Sequence, residues 1–155
     1  MKSTYIRWAV PALVLALAVP AFGGSKSQPN PLQVALLKWS TNTTTSFAVG
    51  TLPSSVAFDG ANIWVANSAD GTVSKLSISR GSGRTFVVGA GALGLAFDGV
   101  NIWVGNNTDN TVTKLLARDG TDLGTFTVGI APVGVAFDGA HILVTNFGSN
   151  TVNKL

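Results

Sequence analysis

Cysteine is absent from all 155 residues. That excludes disulfide staples, thiolate nucleophiles and cysteine metal sites, so the chain must hold itself together by packing. Glutamate is also absent, and there is one histidine, His141. Acid–base catalysis and metal binding draw mainly on His, Asp, Glu and Cys. Here seven Asp residues and one His are the whole inventory. Charge is sparse at 11% of residues. Beyond residue 40 there is no long stretch with apolar residues at helical spacing.

The first segment stands apart from the rest. Lys2 and Arg7 precede an apolar run of 15 residues from Trp8 to Phe22, and Ala21-Phe22-Gly23 follows the small-x-small pattern. This predicts a secretory signal peptide over residues 1–23 and a linker over 24–31. The run is shorter than the ~20 residues of a membrane span, and no Cys follows it to carry a lipid. The expected location is secreted, periplasmic or cell surface, with no stable membrane anchor after cleavage. Loss of Lys2 and Arg7 leaves Lys26, Lys38, Lys75, Arg80, Arg84, Lys114, Arg118 and Lys154 against seven Asp. Those eight cations are scattered along the chain, which argues against a nucleic-acid partner.

What the chain has in abundance is repetition. FDGANIWVAN (58–67), FDGVNIWVGN (97–106) and FDGAHILVTN (137–146) recur at intervals of 39 and 40 residues. Phe47, Phe86 and Phe126 keep the same spacing, as do Lys75, Lys114 and Lys154. Each unit carries four short apolar runs. In the middle unit these are 94–97, 101–105, 111–116 and 125–129, with a polar connection over 117–124. Four antiparallel strands in about 40 residues is the size of one β-propeller blade. The predicted fold is all-β, with about three four-stranded antiparallel blades over residues 32–155. A partial blade at 32–50 precedes repeats at 51–89, 90–129 and 130–155. In IWV both strand faces are apolar, as expected of a blade packed on both sides. Trp64 and Trp103 are therefore read as inter-blade packing residues, with Leu143 in the third copy.

The tetrapeptides WVAN (64–67), WVGN (103–106) and LVTN (143–146), with the preceding FDG and the following NTVTKL-type strand, resemble the YVTN-type β-propeller repeat family. The resemblance implies a closed ring and brings in lactonase-like and streptogramin (virginiamycin B) lyase-like propellers as relatives. The strand count falls short of a ring, which needs about four to eight blades. Residues 33–39 match a third strand and 45–50 a fourth, while the last repeat ends on a third strand at 151–155. The ring is then incomplete unless chains associate. Two readings follow: a truncated or degenerate member of a longer family, with open blade edges that tend to pair with other chains, or a homo-oligomer in which 45–50 of one chain pairs with 151–155 of another.

Candidate chemistry is thin. Asp59-Gly60, Asp98-Gly99 and Asp138-Gly139 read as hairpin turns whose carboxylates accept turn N–H groups. His141 replaces Asn62 and Asn101 of the other copies. Asp119 and Asp122 lack the frame of a calcium loop. Gly81-Ser82-Gly83 between Arg80 and Arg84 has the composition of an anion cradle but opens no helix. No catalytic residue, metal or cofactor is assigned. Asn67, Asn106 and Asn146 are the candidate ligand-binding residues, on loops 67–71, 106–110 and 146–150 that share a face with linkers 50–55, 89–94 and 129–134. Their uncharged polar chemistry suits a carbohydrate, peptide or protein ligand. The expected function is an exported binding, scaffold or surface-interaction module. The alternative is a fragment or partner chain of a lactonase- or lyase-like enzyme.

Overall fold

The computed structural model describes residues 44–155. The predicted signal peptide, linker and strand at 33–39 lie outside them. Residues Thr45–Leu155 form one compact unit, and within it there are eleven strands and no helix among the described residues.

Each repeat folds into its own antiparallel sheet. The first contains β1 (Pro53–Phe58), β2 (Ile63–Asn67), β3 (Thr72–Ser77) and β4 (Ser82–Val87). The second contains β5 (Ala92–Phe97), β6 (Asn101–Asn106), β7 (Thr111–Leu116) and β8 (Asp122–Thr127). The third has three strands, β9 (Pro132–Phe137), β10 (Ile142–Asn146) and β11 (Thr151–Lys154). Strands are ordered as they occur along the chain, so every connection within a sheet is a hairpin. Gly60, Gly99 and Gly139 adopt φ of 93°, 99° and 101°, the left-handed region that their Asp-Gly turns require.

Two expectations are corrected. Residues 45–50 form no strand; a strand exists only as one side of a ladder, and no described strand pairs with this segment. The fourth strand of the middle sheet begins at Asp122, not at 125. A register irregularity between Thr113 and Leu115 and the positive φ of Gly124 let part of the polar connection join the ladder.

The sheets pack face to face. Trp64 and Val73 of the first sheet join Ile102, Val104 and Leu115 of the second in one buried cluster. Trp103 and Val112, on the opposite face of the second sheet, meet Ile142 and Val144 of the third. Burying an indole in this way stabilises by at least ~2–3 kcal/mol by area. The first strands also touch side to side. Ser54 Oγ donates to Ala92 O at 3.1 Å, and a Cβ on Gly94 would lie 2.3 Å from Val133 O. Only glycine permits that approach of two backbones.

Among the described residues, the third sheet has no such neighbour on its far face. Leu143, Thr145 and Val152 occupy the positions of Trp103, Gly105 and Val112. Val112 is fully buried, whereas Val152 is 63% exposed.

Candidate functional site

The repeated Asp does more than close a turn. Asp59 Oδ1 accepts the amides of Ala61 (2.9 Å) and Asn62 (2.6 Å). Its Oδ2 accepts Trp64 Nε1 at 2.8 Å. Asp98 repeats the arrangement with Val100, Asn101 and, at 2.7 Å, Trp103 Nε1. Partial burial raises both carboxyls, but the donated bonds outweigh it. Asp98 is brought down to about 2 by Asn101, Trp103 and the turn amides. Asp138 keeps the amides of Ala140 and His141 but has no indole to hold. His141 Nδ1 sits 3.4 Å from its Oδ2 instead. The His141 and Ala140 amides lower its pKa. The indole-to-carboxylate bond was missed in the sequence; the signal was there, since Asp stands five residues before both Trp residues and Leu143 breaks the pattern.

Asn67, Asn106 and Asn146 are buried at the other end of the strands. Asn106 Oδ1 accepts Gly89 N at 3.1 Å, and its Nδ2 donates to Thr111 Oγ1 (3.0 Å) and Thr113 Oγ1 (2.8 Å). Asp109 Oδ2 takes the next amide, Ala90 N, at 2.7 Å. Asn67 and Asp70 hold Gly50 N and Thr51 N in the same way. The pair thus clamps the linker that leads into its own sheet. A Cβ on Gly89 would sit 2.6 Å from Asn106 Cγ, so the clamp requires glycine there. In the third sheet Ser149 Oγ takes Ile130 N, but Gly129 N goes to Asn153 Oδ1. Asn146 Oδ1 is left buried without a partner. All three Asn side chains are thus engaged by the fold; the loops around them are open.

A cleft opens at the opposite end, beside the Asp-Gly turns. Two adjoining hollows of about 770 and 260 Å³ share Asn62, Lys75 and Arg118. Lys75 Nζ donates to the carbonyls of Ala117 (2.7 Å) and Arg118 (2.8 Å), tying the first sheet to the second. It also lies 5.1 Å from the Trp64 ring. Asp119 Oδ1 accepts Thr121 N and Oγ1, and Asp122 Oδ1 accepts Gly124 N, so both carboxylates brace their own loop. Among the described residues no three His, Cys, Asp or Glu side chains converge as a metal site would require.

No family model and no curated protein matches the chain. Solved structures do. Hydrazine synthase of Kuenenia stuttgartiensis matches with a TM-score of 0.56 and 17% identity over 73% of this chain and 38% of that one. A candidate 6-phosphogluconolactonase of Bacteroides fragilis matches at 0.61 and 20%, over 71% and 36%. The computationally designed protein Ika4 matches at 0.56 and 18%, over 66% and 64%. The chain has a β-propeller-like fold. It spans less than half the length of the natural propeller-like chains named above, and at these identities the likeness extends to fold alone. The three sheets of the described residues are blades, fewer than a closed propeller holds.

Proposed function

We propose that this chain is an exported repeat module of the YVTN type that works by docking and not by turnover. One observation carries the reading. The third blade leaves open the face that the first two bury, with Val152 63% and Val133 43% exposed. A second copy that continues the blade stack would cover it and extend the ring. The open loops around Asn67, Asn106 and Asn146 are then where a carbohydrate, peptide or protein ligand would be met. Light scattering on the full chain tests this. Association at micromolar concentration, abolished by Val152→Asp, is the expected outcome. A monomer at that concentration would refute the shared stack.

A second reading follows from the match to a candidate 6-phosphogluconolactonase, of which this chain spans 36%. It makes the chain part of a lactone-hydrolysing propeller. Hydrolysis of small lactones by the chain alone would favour it over docking.

A further inference from the structure

The cations that are scattered in the sequence are gathered by the fold. Six of them lie in the described residues, and Lys75, Arg80, Arg84 and Arg118 line the smaller hollow together. It lies between the outer strand of the first blade and the β7–β8 turn of the second, which presses against Phe86: a Cβ on Gly120 would lie 2.1 Å from that ring.

Lys75 ties the two blades together, yet the cluster sets like charges side by side. Lys75 and Arg84 are direct cross-strand partners, and like charges placed opposite each other destabilise a sheet. The second blade avoids the conflict. Its ladder is irregular between Thr113 and Leu115, and no cation stands on β8 opposite Lys114. Arg80 has Asp119 as its repeat equivalent, so the charge at that turn reverses between blades. Lys75 cannot swing away, because two carbonyls hold its ammonium. Arg84 lies over Phe86, 5.6 Å from the ring centroid, and Arg80 is exposed at the rim. The one carboxylate in the smaller hollow, Asp119, is paired with Arg118 at 3.1 Å.

We infer that this hollow binds a tetrahedral oxyanion, a phosphate or sulfate group, between Lys75, Arg80 and Arg84. The anion relieves the Lys75–Arg84 repulsion and is fixed by charge-assisted hydrogen bonds from guanidinium and ammonium groups. Asn62 and Ser82 border the hollow with neutral polar groups suited to the hydroxyls of a carrier. The site needs no second copy, because residues of the first two blades alone line it.

Titration calorimetry of the full chain with inorganic phosphate and with sulfate, at constant ionic strength, tests the inference. Saturable one-site binding is expected, with acetate much weaker. Arg80→Ala/Arg84→Ala should weaken phosphate at least about tenfold, while Lys114→Ala leaves it unchanged. Asp119→Asn should tighten it about two- to fivefold by removing a competing charge. Glycerol phosphate and a sulfated disaccharide then distinguish the two ester sources. Failure to saturate, acetate binding equal to phosphate, or wild-type affinity in the folded double variant would overturn the site. Weaker binding by Asp119→Asn would overturn it as well.

Discussion

The second and third blades share a sequence pattern and differ in what covers them. The second is packed on both faces, and there the tryptophan, its carboxylate and the linker clamp are all complete. The third is packed on one. Leu143 stands for the indole, His141 for the Asn, and Asn146 Oδ1 accepts no linker amide. Yet Asp138-Gly139 keeps its turn and both turn amides. The Asp therefore serves two tasks that can be separated. Closing the hairpin is kept in every blade, whereas anchoring an indole accompanies a covered face.

Substitution at the paired positions should expose that contrast most strongly at the indole. Trp103→Ala should cost ~3–5 kcal/mol in urea unfolding, and Leu143→Ala only about 1 kcal/mol. Equal costs would mean that the far face of the third blade is covered in solution. The clamp comes next. Asn106→Ala strands the Gly89 amide and should cost ~2–3 kcal/mol, against about 1 kcal/mol for Asn146→Ala, where Asn153 already holds Gly129. Smaller still is the strain of Ala131, at φ 53° where the second blade has Gly91 at 72°. Ala131→Gly should raise stability by up to about 1 kcal/mol.

Acid sharpens the same contrast. The folded pKa of Asp98 is depressed to about 2, so its contribution is present above the ordinary carboxylate value and is lost as pH falls from about 4 toward 2. Carbon-detected titration of the full chain should place the Asp98 midpoint near 2. In Trp103→Phe it should rise, because the indole donor is gone. The same substitution should leave Asp138 unmoved; a parallel shift there would contradict separate anchoring.

Much of this architecture was legible. The FDG spacing marked the hairpins, and the doubly apolar IWV run marked strands buried on both faces, because both signals are local. The ends of ladders were not. Residues 45–50 have strand composition, yet strand formation depends on a partner that composition cannot supply. Asp122 looked like loop and joins β8, because a register shift absorbed the polar residues. At the site level, the Asn repeat was legible as a position but not as a clamp, since its target is a linker amide 17 residues away. The Lys75–Arg84 opposition depends on register, and the approach of Arg118 depends on two blades meeting. Neither can be read along one repeat.

The linker clamp also bears on how such a chain could have grown. In the first two blades Asn67 and Asn106 each grip the residue that leads into their own sheet, 17 positions upstream. A gene segment of one full period carries both halves of the grip. Copying or deleting it would leave the Asn clamp of the other such blade intact, and would change the number of blades without redesigning that grip. Because each closure is short, it is also cheap in chain entropy. Blades could then fold as they leave the ribosome, each fastening its own beginning before the next is made.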